Sequence, residues 1–144
     1  MTKILVVDDK ELILYSLSKM LRQGGADVTT ATNGQDALRE MQNASYDICF
    51  LDVQLPDANG MDLMKTFREL SPTTSVIIMT ALCLNNEQQK YLHSHNCRYL
   101  PKPFELDQVQ SVIAEITGNT IIASRAEPSP LGEQLPGQGA APVE

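Results

Sequence analysis

Four apolar runs in this sequence end in side chains that can do chemistry. K-I-L-V-V leads into Asp8 and Asp9, D-I-C-F-L into Asp52, S-V-I-I-M into Thr80, and C-R-Y-L, after Pro101, into Lys102. Adjacent carboxylates at the end of a buried segment repel each other and lose hydration, so a cation belongs beside them. Three carboxylates brought together form a hard oxygen site suited to Mg2+, which keeps several waters and is often completed by phosphate oxygens. The set lacks the imidazole and thiolate ligands that zinc favours. Lys102 offers a point charge for phosphate, and Thr80 a hydroxyl donor. With a metal and a lysine damping its charge, Asp52 can serve as a nucleophile that accepts a phosphoryl group. Taken singly, each aspartate is an ordinary turn residue. Their joint occurrence at the ends of separate apolar runs is what points to phosphoryl chemistry.

For these groups to meet, the runs that carry them must lie in one sheet. K-I-L-V-V (residues 3–7) is apolar without alternation, as in a strand covered on both faces. Residues 11–23 place Ile13, Leu17, Met20 and Leu21 at helical spacing and stop at Gly24-Gly25. A-D-V-T-T-A (26–31) reads as a second strand, and Asn33 as the cap of a short helix containing Ala37, Leu38 and Met41. Residues 47–51 give a third strand. Met61, Met64, Phe67 and Leu70 mark a third helix, closed at Ser71-Pro72. A fourth strand over 75–79, a polar helix over 86–94 and a short fifth strand over 97–100 follow. Leu106, Val109, Val112, Ile113 and Ile116 mark the last helix.

Strand and helix alternate five times, which predicts an α/β fold with a parallel sheet and helices on both faces. Pattern alone does not order the strands. The size fits a flavodoxin-like (βα)5 doubly wound sheet of order 2-1-3-4-5, in which sites form beyond the carboxyl ends of the strands. On that topology the three aspartates, Thr80 and Lys102 share one rim.

The 144 residues suit one domain, and the net charge of −7 argues against non-specific nucleic-acid binding. No apolar run approaches the roughly 18 residues of a membrane span, and the N-terminus reads as a strand rather than a signal peptide. Cys49, Cys83 and Cys97 are widely spaced, which suits a reducing compartment, so the expected location is cytoplasmic. Residues 118–144 hold four of the eight glycines, four of the eight prolines and no aromatic. They read as a linker or disordered tail, with T-I-I-A (120–123) able to extend the last helix for a turn or pack on the surface, and leave 1–117 as the folded domain.

V-V-D-D (6–9), F-L-D-V-Q-L-P-D-A-N-G-M-D-L (50–63), I-I-M-T-A (77–81) and Y-L-P-K-P-F (99–104) together resemble the motifs of the receiver domain of bacterial two-component response regulators. The resemblance runs from about Lys3 to Thr117. It implies a phosphoacceptor that takes a phosphoryl group onto Asp52 from the phosphohistidine of a histidine kinase or His phosphotransfer protein, with Mg2+ required. By the same resemblance Asp9, Asp52 and the backbone carbonyl of Gln54 are direct metal ligands, and Asp8 acts chiefly through water. Lys102 pairs with Asp52 and the phosphoryl group, Thr80 hydrogen-bonds a phosphoryl oxygen, and Tyr99 swings inward behind it. Lys102–Pro103 is expected to be a cis peptide. Pro56 and Gly60 fit the loop after the acceptor, where glycine can relieve backbone strain. Such a domain is a switch that assists its own phosphorylation and dephosphorylation, not a turnover enzyme.

The resemblance also implies partners. The face formed by the fourth helix, fifth strand and fifth helix is expected to dimerise or bind a target. The first helix, with Leu12, Ile13 and Leu14, is expected to dock the kinase or phosphotransfer protein. Residues 85–95 are more polar than is usual for the family, and Asn96-Cys97 stands where Gly-Ala is frequent. By the same resemblance, Gln54 and Leu82 occupy positions that in the family tune the dephosphorylation rate.

Two other classes fit less well. A phosphatase of the haloacid dehalogenase-like fold places a second Asp two residues after its nucleophile, where this chain has Gln54, and usually needs a cap domain. An FMN carrier wants a Ser/Thr/Gly-rich loop after the first strand, where Asp8-Asp9 would repel phosphate. His93, His95 and Cys97 read as an exposed polar cluster at a helix end, and Cys49, Met61, Met64 and Met79 as core.

Overall fold

The structure is a computed structural model that describes residues 1–118; the expected tail, except for Gly118, and T-I-I-A lie outside the described residues. The elements run β1 (Lys3–Val7), α1 (Glu11–Gln23), β2 (Asp27–Ala31), α2 (Gly34–Asn43), β3 (Ile48–Asp52), α3 (Gly60–Leu70), β4 (Ser75–Thr80), α4 (Asn86–Ser94), β5 (Cys97–Pro101) and α5 (Leu106–Thr117). The strands form one sheet of order β2-β1-β3-β4-β5, with every neighbouring pair parallel. No helix among the described residues is long and apolar enough to cross a membrane.

The strands explain their own continuity of apolar residues. Successive side chains point to opposite faces, and both faces are covered. Ile4, Val6, Ile48, Phe50, Ile77 and Met79 face α1 and α5, where Leu17, Leu21, Val109 and Ile113 meet them. Leu5, Val7, Cys49, Leu51, Val76 and Ile78 face the other side, where Ala37, Met64, Phe67 and Leu92 complete the core. Each fully buried aliphatic or aromatic side chain contributes roughly 1.5–3 kcal/mol.

Helix ends are set locally. The Asn33 side chain accepts from Asp36 N–H, and Asn85 and Gln88 form a reciprocal capping box at α4. Asn96, after α4, has φ of 59°, a left-handed conformation that asparagine tolerates and that ends the helix ahead of β5. Asn96 thus fills a left-handed turn position of the kind glycine most often takes.

Three expectations need correction. The buried stripe of α1 is Leu14, Leu17, Ser18 and Leu21, while Ile13 and Met20 are only half-buried. Leu14 is therefore core, not docking surface, and Leu12, 75% exposed, and Tyr15 are the large hydrophobic residues that α1 presents outward. On α3, Leu63 replaces Leu70 in the core, and Met61 is half-buried. Cys97 is buried, so only His93 and His95 of the expected polar cluster are exposed.

Candidate functional site

The parallel order brings the carboxyl ends of β1 and β3 side by side, with β4 and β5 beyond. Asp8 extends β1 by one residue, its N–H donating to Ala31 O at 3.1 Å. Asp52 is the last residue of β3, paired with Met79. Ligand-capable oxygens of Asp8, Asp9 and Asp52 all lie within 4.8 Å of one another. Asp8 and Asp52 are buried and Asp9 is exposed.

Lys102 closes the cluster. Its N–H donates to Thr80 O at 2.8 Å, which continues the β4–β5 pairing and directs the side chain over the rim. The Lys102–Pro103 peptide is cis, as the resemblance implies. Nζ lies 2.7 Å from Asp8 Oδ2 and 3.5 Å from Asp52 Oδ2. The expected Lys102–Asp52 pair is present, but the shorter contact goes to Asp8. The other Asp8 oxygen accepts from Lys10 N–H at 2.9 Å, so both oxygens already have protein donors.

The Asp52 carboxyl is raised above the ordinary carboxylate range. Burial is the first cause and the Asp8 charge the second; Lys102 and the Gln54 N–H pull the other way. Lys102 and, from the exposed side, Lys10 at 3.5 Å from Asp9 Oδ1 face three clustered carboxylates, which still leaves one negative charge unbalanced. Oxygen-only donors are what a hard divalent cation such as Mg2+ requires.

Thr80 is buried at the end of β4, and its Oγ1 accepts from Leu82 N–H at 2.9 Å. Tyr99 is half-buried on β5, and its hydroxyl donates to Leu82 O at 3.2 Å. Both expected switch residues therefore hold the same residue, through its N–H and its carbonyl. Leu82 itself is 50% exposed.

The loop from β3 to α3 is tight. Gln54 N–H donates to Asp52 Oδ1 at 3.2 Å, and Gly60 N–H to Val53 O at 2.7 Å. A Cβ on Gly60 would strike the Asp52 carbonyl oxygen and lie 2.6 Å from Val53 Cα. Gly60 has no positive φ, so it serves close approach rather than relief of backbone strain. A contact absent from the sequence reading also belongs here. Asp57 Oδ1 and Oδ2 accept from Gly34 N–H at 2.7 Å and Gln35 N–H at 3.0 Å, at the start of α2. The Gly34 bond, first among the causes, and the Gln35 bond hold the Asp57 carboxyl below its ordinary range. Nothing in local sequence pairs residues 23 positions apart.

An acidic cluster at the β1/β3 switch point of a 2-1-3-4-5 sheet is the arrangement of the CheY-like signalling domains of flavodoxin fold. Residues 4–114 match the response regulator receiver domain family, and the chain belongs to that family. It is 33% identical over 142 residues to the DNA-binding transcriptional regulator NtrC of Azospirillum brasilense, a match covering 97% of this chain and 30% of that protein. It superposes on a CheY-like receiver domain protein from Methanospirillum hungatei with a TM-score of 0.73 and 26% identity, covering 80% of this chain and 92% of that one. The response regulator TrrA of Thermotoga maritima, solved in complex with Mg2+-BeF, gives a TM-score of 0.69 and 28% identity over 81% of this chain and 99% of that one. The chain spans between 7% and 54% of the length of the first curated relatives it matches. It is a receiver domain of the two-component type, a signalling family whose members interact with histidine kinases and typically bind Mg2+.

Proposed function

We propose that Asp52 is the phosphoacceptor of a Mg2+-dependent switch, charged from the phosphohistidine of a histidine kinase or His phosphotransfer protein. The observation that carries this reading is the meeting of Asp8, Asp9 and Asp52 within 4.8 Å, beneath Lys102. The Mg2+-BeF complex of the related TrrA, in which beryllofluoride stands in for a phosphoryl group, supports it.

An Asp52 carboxylate oxygen attacks phosphorus, the O–P bond forms as the P–N bond breaks, and the imidazole keeps the electron pair. Asp9, Asp52 and the Gln54 carbonyl are the proposed metal ligands. Asp8, with both oxygens taken by Lys10 N–H and Lys102, acts on the metal through water. When bound, Mg2+ neutralises charge on the phosphoryl oxygens. Lys102 stabilises the same oxygens from the other side, within reach of Asp52 at 3.5 Å. Thr80 turns to donate its hydroxyl to a phosphoryl oxygen, and through Leu82 the change reaches Tyr99 and the α4-β5-α5 face, which dimerises or binds a target. Residues 1–117 are the receiver unit, and it acts as a switch rather than a turnover enzyme. Exposed Leu12 and half-buried Ile13 on α1 are the apolar contribution to kinase docking.

Incubation with acetyl phosphate and Mg2+, read by intact-protein mass, tests the proposal. Wild type is expected to gain one phosphoryl group and Asp52→Asn none. An unmodified wild type, or equal modification of the variant, refutes it.

A further inference from the structure

A start of α2 leaves four N–H groups without partners inside the helix. The first intrahelical bond runs from Ala37 N–H to Asn33 O at 3.2 Å, and of the groups before it Asp36 N–H goes to Asn33 Oδ1 at 2.8 Å. Gly34 and Gln35 donate instead to Asp57. The cap residue thus completes only part of its helix, and the β3–α3 loop supplies the rest. The position favours a carboxylate, because the N-terminal end of a helix carries partial positive charge.

The contact needs Gly34 as well as Asp57. A Cβ on Gly34 would lie 2.7 Å from Ala58 Cβ and 3.0 Å from Leu63 Cδ1, so a side chain there pushes the loop off the helix. Within the loop, restraint is weaker toward the tip. Gln54 and Asn59 form an isolated antiparallel bridge, and Leu55 N–H reaches Ala58 O at a long 3.3 Å. Gln54, Pro56 and Asp57 are exposed, so burial does not hold them.

We propose that Asp57 is a positioning residue for the metal site: by clamping the loop to α2, it holds the Gln54 backbone carbonyl where Mg2+ binds. This rests on the phosphoacceptor reading, which makes that carbonyl a ligand. A ligand carried by an exposed loop binds well only if the loop is already in place, and contacts that orient ligands strongly influence metal affinity.

Mg2+ titrations of the 144-residue chain, followed by amide chemical shifts, test the clamp in wild type, Asp57→Ala, Asp57→Asn and Gly34→Ala. Asp57→Ala and Gly34→Ala are expected to raise the Mg2+ Kd on the order of tenfold. Asp57→Asn, which keeps an accepting oxygen, is expected to raise it less. Phosphorylation by acetyl phosphate should recover toward wild type when Mg2+ is raised to saturation. A thermal midpoint lowered in the variants with an unchanged Mg2+ Kd makes Asp57 a helix cap only and overturns the proposal. A wild type that binds no Mg2+ overturns the phosphoacceptor reading, and the clamp's role falls with it.

Discussion

Replacing the proposed acceptor by its amide, Asp52→Asn, is expected to make the metal-free fold more stable. Asp52 is 3% exposed and shares the rim with buried Asp8. With an effective dielectric constant of about 20, Lys102 at 3.5 Å attracts Asp52 by about 4.7 kcal/mol. At a separation of up to 4.8 Å, Asp8 repels it by about 3.5 kcal/mol or more. The pair energies nearly offset, and burial decides the sign, in keeping with the raised Asp52 carboxyl. Asparagine keeps the shape and sheds the charge, while Lys102 retains Asp8 at 2.7 Å and is not left unpaired. A gain of about 1–2 kcal/mol follows, or roughly 3–10 °C in Tm. Because the folded-state value is raised, the stability from protonating Asp52 is present below the unfolded value and lost as pH rises through the folded value. The advantage of the variant is therefore full near neutral pH and shrinks as pH falls toward about 4. Mg2+ at one hundred times its Kd would stabilise wild type by about 2.7 kcal/mol and reverse the order. Thermal melts by circular dichroism, in EDTA and in Mg2+ at both pH values, read all of this. A variant no more stable than wild type in EDTA at neutral pH would show that Lys102 outweighs burial, refuting the reasoning.

Lys102→Ala strands the buried Asp8 charge, so urea denaturation in EDTA should show a loss of about 3–5 kcal/mol. Mg2+ should restore part of it. Gly60→Ala drives a Cβ into the Asp52–Val53 backbone, which cannot yield as a side-chain end can; about 2–3 kcal/mol should be lost in the same assay. On α1, Leu14→Ala should cost about 2–4 kcal/mol and Leu12→Ala under about 0.5 kcal/mol. Leu12→Ala should slow phosphotransfer from a histidine kinase while leaving acetyl phosphate labelling unchanged.

Strand positions were legible because unbroken Ile, Leu and Val runs have few other uses in a chain of this size. The bounds of β1, α1 and α4 agree with the sequence reading residue for residue. The facing of α1 was less legible, since Leu12, Ile13 and Leu14 are three apolar residues in a row. Any of them can begin a stripe, and the choice of Leu14 is made by how α1 lies on the sheet, which pattern alone does not orient. At the site, residue types at strand ends revealed the cluster because parallel order brings those ends together. The Lys102–Asp52 pair expected from the resemblance is present, but the shorter contact to Asp8 was not foreseen, because the two distances to Nζ differ by less than an ångström. Asp57 looked like any turn aspartate, because its partners are backbone groups of another element.

Thr80 shows why the proposed switch shifts a population rather than locking one state. Its oxygen holds Leu82 N–H at 2.9 Å, a bond that contributes about 1 kcal/mol net. Turning toward a phosphorylated Asp52 gives up that bond for one to a charged oxygen, which contributes about 1.5–3 kcal/mol. The difference is about 1 kcal/mol, a factor of about five in population. Taking the resting to the active form nearly completely needs several times more. The remainder has to come from groups that respond together, and Leu82 links them: its carbonyl holds the Tyr99 hydroxyl, so displacing its N–H disturbs a second bond on β5. A loop gripped from both sides by weak, separate bonds moves only when both are biased. That makes the β4–α4 loop, rather than the acceptor carboxylate, the element whose balance sets how strongly phosphorylation is read out.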